Sequence, residues 1–568
     1  MNINTVSAQL DEIKSELVCF PSRNGLKISA YVDSLKNQQE ALGYVIMAPK
    51  YGETKKNNLQ LAYYLAANGL VVLRFDHTNH VGESQGDQTA FTLPGGVDDI
   101  LGSLDFMDRQ NGGHGVTLIA SSLSARTAIR ATALDERIVH LVCLVGVVNV
   151  QHTLREVYQE DLVHNHLSGK KWGITDILGV EIDFDRFLSA AVKSNMHDLS
   201  GTRSDILGIR SHITFFPAER DVWVLLTDVR SVCGDLETIQ IHPIEGAMHE
   251  VRENPDAAEK AFRDMVAVCV GKTFGRMGGS TELKMPDKKQ IFKQNKIERD
   301  QFKKARPAAE PEREFWSKYL EKYQMLERVE DYRGYLDTVG KMLGPIEESE
   351  IVLDAGCGNG LLGVWLIRDI LARSRASWII PPVYIGLDLT RDGLYDALDR
   401  HASIARRFLM NSQGSGKTVP GLIYNQVDLD VWAGSPEGGE LVTFDDHCFD
   451  KICCSLVLSY LKNPFELIKE LYRVMKPGGK LVISSMKPFC DMSVIYRDFM
   501  GQQVTGEELD SGRNLLRAAG AIKIKEEQGY YVFYSAEELA ELVSKAGFIN
   551  TRWENCFGNQ AVAVTAEK

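Results

Sequence analysis

The run Val116-Thr117-Leu118-Ile119-Ala120-Ser121-Ser122-Leu123-Ser124-Ala125-Arg126 decides the fold of the first half of the chain. Its apolar, β-prone start stops at small residues and passes into a helix-prone run from Leu123 to Leu134. That order predicts a strand, a tight turn and a helix, with Ser122 on the turn. A serine so placed fits a nucleophile elbow, where small residues two before and two after it let strand and helix cross closely. Here those neighbours are Ala120 and Ser124, not glycines. A serine-rich turn without chemistry fits the local pattern equally well, so the partners decide.

They follow in the order serine, acid, histidine. Asp221 comes after the β-like run from His212 to Arg220, and His249 after the run from Thr238 to Met248. Each lies just beyond a predicted strand, and groups at the carboxyl ends of strands in one parallel sheet meet at one edge. His249 is expected to take the proton of Ser122, while Asp221 holds the imidazole tautomer and stabilises its charged form. The backbone amide of Leu123, with one from the loop Lys50-Tyr51-Gly52, is expected to bind the oxyanion. His77 and His80 read as ordinary surface or supporting histidines, and Asp76 has no nameable partner.

A chain of 568 residues is too long for one core and implies roughly two to four domains. Its 44% hydrophobic and 25% charged content is that of a soluble globular protein. There is no apolar run of about twenty residues, and Met1-Asn-Ile-Asn-Thr5 lacks the regions of a signal peptide. The expectation is a cytoplasmic protein without stable membrane insertion. The ten cysteines are scattered without zinc spacing, so free thiols and no metal are expected. A net charge of −13 argues against nucleic acid as a partner.

Taken in order, residues 15–34 read as two strands joined at Arg23-Asn24-Gly25, a hairpin signal. Strands at Tyr44–Ala48, Leu70–Phe75 and Val139–Val148 then alternate with helices near 55–68 and 95–109, which implies an α/β fold with a mostly parallel sheet. Residues 151–205 break the rhythm, are polar and helical in pattern, and are expected to form a cap. His152, His164, His166 and His197 in it read as solvated.

The segments Val71–Gly82, Leu118–Arg126 and Val145–Asn149 resemble the acyl transferase of the bacterial luminescence fatty-acid reductase complex, over about residues 10–275. The resemblance implies an α/β-hydrolase fold and a thioesterase that removes fatty acyl groups from acyl carrier protein or coenzyme A. It puts the triad on Ser122, on Asp221 within Arg220-Asp221-Val222-Trp223, and on His249 within Gly246-Ala247-Met248-His249-Glu250.

Residues 276–312 read as a basic linker, flanked by Gly278-Gly279-Ser280 and the Pro307 to Pro311 run. Between Lys284 and Arg306 nine Lys or Arg stand against three Asp or Glu. A solvated linker helix and a docking face for an acidic carrier protein both fit this stretch. An aromatic-rich helical region follows (Phe315, Trp316, Tyr319, Tyr323, Tyr332, Tyr335), part of it core and part a lid over a cofactor.

The second fold-defining run is Ile351-Val-Leu-Asp354-Ala-Gly356-Cys-Gly358-Asn-Gly360, a strand entering glycines and then a helix. Glycines let backbone approach a nucleotide-like ligand at a strand end. Asp388 ends a second strand with a carboxylate suited to ribose hydroxyls, Asp428 follows a third, and Phe449–Ser455 is the fourth. Leu471–Ser484 supplies helix, Met-Lys-Pro-Gly-Gly turn and fifth strand. Together these resemble the class I S-adenosylmethionine methyltransferases over about residues 312–568, a Rossmann-like domain. The resemblance puts Asp354, Gly356, Gly358 and Gly360 by the methionine part, Asp388 and Leu389 by the ribose, Asp428 and Leu429 by the adenine, and Ser455 on the reaction side. Residues 486–530 are expected to supply the acceptor pocket, and no obligate base is expected.

The expected architecture is therefore α/β throughout: a hydrolase domain over 1–275 with its cap at about 151–205, the linker 276–312, and a methyltransferase domain over 313–568. The expected function is a bifunctional thioesterase–methyltransferase. It cleaves an acyl thioester through an acyl-serine and methylates the released acid, or a related fatty-acid or polyketide-type intermediate, with a small-molecule acceptor. The alternative is one catalytic domain beside a carrier-protein docking or scaffold module.

Overall fold

The computed structural model describes residues 5–8, 12–273, 282–287, 289–291, 293, 295, 312–412, 416–434, 444–502, 506–527 and 529–568. Most of the basic stretch, with both flanking segments, lies outside the described residues. The chain divides into two compact units: Met1–Ala305 with Leu516–Gly529, and Arg306–Leu515 with Tyr530–Lys568.

The first unit is built on an eight-stranded sheet in the order Ile239–Ile241, His212–Phe216, Ile138–Leu144, Val116–Ser121, Gly43–Ala48, Leu70–Phe75, Lys27–Leu35, Ile13–Pro21. Six strands run parallel, and the last two pair antiparallel as the expected hairpin, closed at Gly25 with φ 88°. All six residues of Val116–Ser121 are buried, which is why this strand is a continuous apolar run and not an alternating one. Helix Leu93–Asn111 starts where the Thr92 hydroxyl accepts the Gly95 amide and stops at Gly112 with φ 63°. Gly146 is required by close packing, since a Cβ there would lie 2.7 Å from Cβ of Ala125 in the elbow helix.

The cap holds helices Val150–Tyr158, Leu162–Leu167, Phe184–Lys193 and Leu199–Gly208. It also holds a short hairpin, Ile174–Ile177 with Val180–Asp183, which an all-helical expectation misses. Arg126, fully buried on the elbow helix, pairs with Asp205 of the cap at 2.8 Å and donates to the Asn195 carbonyl at 3.0 Å.

The second unit contains a seven-stranded sheet in the order Gly421–Gln426, Val383–Asp388, Ile351–Ala355, Phe449–Cys454, Met475–Met486, Ala561–Glu567, Ile549–Cys556. The first five strands are parallel, and Ala561–Glu567 pairs antiparallel with both of its neighbours. Helix Ala536–Lys545 opens on a capping box of Ser535 and Glu538. Among the described residues no helix is long and apolar enough to cross a membrane.

Candidate active sites

In the first unit the strand Val116–Ser121 delivers Ser122 to the carboxyl edge of the sheet in a strained backbone, φ 53° and ψ −126°. Its amide donates to Leu144 and its carbonyl accepts from Val147 and Ala125, so neighbouring segments hold the strain. The Ser122 hydroxyl lies 2.8 Å from Nε2 of His249, and Nδ1 of that ring lies 2.7 Å from Oδ2 of Asp221. Oδ1 of Asp221 accepts the Trp223 and Val224 amides at 2.9 and 3.0 Å. This fixes the carboxylate, which in turn puts the ring hydrogen on Nδ1 and leaves Nε2 to accept from the serine. All three residues are buried, and the Trp223 ring lies 5.1 Å from the imidazole. Three residues far apart in sequence thus form one hydrogen-bonded line able to deprotonate a hydroxyl.

Leu123 opens the following helix, so its amide has no intrahelical partner. Among the described residues neither the Leu123 nor the Tyr51 amide donates a backbone hydrogen bond outside the regular elements. Both amides are thus without a backbone acceptor among the described residues.

His77 and His80 are not surface residues: both are buried. His77 joins Asp99 and Ser124 through its two ring nitrogens, each at 3.1 Å. His80 accepts the Gly52 amide at Nε2 across 2.8 Å, and burial pushes its pKa down to about 3. Asp76 has a partner in Lys55, whose Nζ and amide both lie 2.6 Å from its oxygens. The partners lie about twenty to fifty residues away in sequence, so no local pattern carries them.

In the second unit Gly356, Gly358 and Gly360 all have positive φ (89°, 52° and 84°), which only a glycine turn adopts without strain. A Cβ on Gly356 would lie 2.3 Å from Val457, and one on Gly360 2.7 Å from His401. Asp388 accepts the Gly358 amide at 2.8 Å through Oδ2, and the Thr390 amide and hydroxyl through Oδ1. Leu389 follows it at the strand end. Asp428 caps helix Leu429–Gly434 through the Asp430 amide at 3.0 Å. The Ser455 hydroxyl is bonded to that of Tyr335, which also lies 2.8 Å from Ser484.

Beneath the glycine turn sits a polar group whose members other than Asp354 sequence reasoning missed. Asp354 takes a hydrogen bond from Tyr384 at 2.8 Å, His401 donates to the Gly360 carbonyl at 2.7 Å, and Tyr424 donates to His401 at 2.6 Å. Burial, with Asp388 nearby, pushes the Asp354 carboxyl up to about 7. Burial divides the aromatic region in two. Tyr332 and Tyr335 are core, whereas Phe315, Trp316 and Tyr319 are half-buried on a helix whose Leu320 meets the glycine turn.

The two sheets, with a serine, histidine and aspartate line on one and a glycine turn on the other, define an α/β chain with a hydrolase-like first unit and a Rossmann-like second. Residues 23–290 match the acyl transferase family model, and residues 325–552 match a methyltransferase domain model. The acyl transferase of Photobacterium phosphoreum is 26% identical over 251 residues, covering 43% of this chain and 79% of the relative. That of Aliivibrio fischeri is 28% identical over 221 residues, covering 39% and 71%. Among solved structures, ferulic acid-bound Est1E from Butyrivibrio proteoclasticus is 17% identical, covers 45% of this chain and 100% of its own, and has a TM-score of 0.38. A SAM dependent methyltransferase from Aquifex aeolicus is 16% identical, with 43% and 97% covered and a TM-score of 0.26. The chain is an acyl transferase domain fused to a methyltransferase domain.

Proposed function

We propose that the first domain, about residues 1–275, cleaves an acyl thioester carried by acyl carrier protein or coenzyme A, and that the second, about 313–568, methylates the released acid or a related intermediate. The observation that carries the first half is the line from Ser122 through His249 to Asp221. The Ser122 oxygen attacks the thioester carbonyl while its proton passes to Nε2 of His249. The Leu123 and Tyr51 amides hold the resulting oxyanion. The carbon–sulfur bond breaks, the thiolate takes the proton from His249, and the acyl group stays on Ser122. Water, or another hydroxyl, then repeats the sequence in reverse and frees the serine.

For the second half, the positive-φ glycines and the carboxylates at adjoining strand ends fit S-adenosylmethionine, and one oxygen of Asp354 is buried beside them without a partner among the described residues. Asp354, Gly356, Gly358 and Gly360 would hold its methionine part, Asp388 and Leu389 its ribose, and Asp428 and Leu429 its adenine, with Ser455 towards the acceptor. Bound there, it supplies an electrophilic methyl group. The chain contributes positioning and exclusion of water, and a carboxylate acceptor needs no base because it is ionised at neutral pH.

The test is incubation with acyl carrier thioesters and methyl-labelled S-adenosylmethionine. Free acid together with labelled methyl ester supports the reading. Acid released with no label in its ester removes the carboxylate as acceptor, and no acid at all removes the thioesterase.

A further inference from the structure

Between Pro49 and Gly52 the chain makes the turn that carries the Tyr51 amide, and side chains from three other segments hold it. The Ser124 hydroxyl donates to the Pro49 carbonyl at 2.5 Å. Its single hydrogen is used there, so towards His77 it is the acceptor, receiving Nε2–H at 3.1 Å. The other nitrogen of His77 faces Asp99, whose oxygens also accept the Thr78 amide and hydroxyl at 2.9 and 2.8 Å. On the far side of Tyr51, the Gly52 amide donates to His80 at 2.8 Å. His80 has little freedom, because its ring stacks on Phe91 at 4.6 Å and lies 4.6 Å from the Tyr51 ring. Lys50 reaches Oε2 of Glu250, the residue after His249, at 2.6 Å; Lys523 of the same unit lies 2.8 Å from that oxygen. Arg252 binds Glu53 at 2.6 Å and also pairs with Glu250. Burial opposes charge on Glu250, but Arg252, Lys50 and Lys523 outweigh it and hold the carboxyl well below the usual range.

The residues on either side of Tyr51 are therefore fixed at a carbonyl, an ammonium group and an amide, while the Tyr51 amide itself is left over. An oxyanion donor is effective only if it is already aimed before charge develops, because its reorientation would otherwise be part of the barrier.

We propose that Ser124, backed by His77, and His80 are positioning residues that preset the Tyr51 amide as the second oxyanion donor. A serine stands at the elbow's second small position, where glycine would pack, because its hydroxyl is one of the clamps. This inference rests on the acyl-serine reaction proposed for Ser122.

The test uses the full chain with Ser124→Gly, His80→Ala and His80→Gln, the last keeping an acceptor. Removing an oxyanion donor outright costs about 100- to 1000-fold in kcat, so freeing its turn is expected to cost roughly 10- to 100-fold in kcat. KM for the thioester should change less than about twofold, since the lost interaction belongs to the transition state. Affinity for an alkyl trifluoromethyl ketone, which forms an anionic adduct on Ser122, should fall in parallel, and His80→Gln should recover most of both. Melting midpoints identify any variant whose loss is merely unfolding, and Ser124→Gly serves if His80→Ala does not fold. Wild-type kcat and ketone affinity in folded Ser124→Gly and His80→Ala would overturn the positioning roles alone. Failure of a fluorophosphonate to label Ser122 in the unaltered chain would instead remove the reaction on which they rest.

Discussion

Tyr384 donates its phenol hydrogen to Oδ2 of Asp354 across 2.8 Å, and Oδ1 of the same buried carboxyl has no partner among the described residues. An ionised Asp354 is thus poorly solvated, and burial raises its carboxyl to about 7. The ordinary value is near 4, so between these values the folded chain binds a proton that the unfolded chain has lost. Stability contributed by the protonated group is full below about pH 4 and is lost as pH rises through about 7, by up to roughly 4 kcal/mol. Asp354→Asn removes the titration. In thermal melts without cofactor it should match the unaltered chain only near pH 4 and exceed it by a margin that grows up to about pH 7; parallel pH slopes in the two proteins would contradict this.

Asp221→Asn keeps the shape of the first site but offers Nδ1 of His249 an amide able to donate, which favours the wrong tautomer. Thioester turnover should fall by about 1000- to 10000-fold in kcat with little change in melting temperature. A loss of less than tenfold would show that Asp221 does not orient the ring.

How much of this was legible in the sequence depends on the distance between partners. The elbow was readable because strand, turn and helix are contiguous, and the meeting of Ser122, Asp221 and His249 because each follows a strand of the same sheet. Ser124 gave no such sign: its partners Pro49 and His77 are 75 and 47 positions away, so only a departure from glycine showed. For His77 and His80 the sequence left surface and supporting roles open, because a loop position does not tell exposure from burial. The cap hairpin was missed because its turn is Leu178-Gly179, with both residues at positive φ (51° and 90°), a conformation that leucine does not announce. In the second unit the glycine turn was plain, but the support from Tyr384, His401 and Tyr424 comes from three other elements.

Gly356→Ala tests the glycine turn. At φ 89° and with a Cβ 2.3 Å from Val457, alanine forces the turn to move. Strain of about 1–3 kcal/mol should weaken S-adenosylmethionine binding roughly tenfold or more by calorimetry, with acyl release by the first domain unchanged. Full-strength binding would place the cofactor elsewhere.

Lys55 and Asp76 form an ion pair at 2.6 Å in which both side chains are essentially inaccessible to water. Lys55→Met leaves a buried carboxylate uncompensated and should cost about 3–5 kcal/mol in urea unfolding. Adding Asp76→Asn should recover part of that loss. Equal stability of Lys55→Met and the unaltered chain would mean that the pair is not buried in solution.

The most direct measurement is peptide mass spectrometry of the chain quenched during turnover of an acyl thioester. The expected result is one added acyl group, on the peptide bearing Ser122, absent from Ser122→Ala and sensitive to mild base. Thioester consumption that continues in Ser122→Ala, or an acyl group found on another residue, would contradict the account.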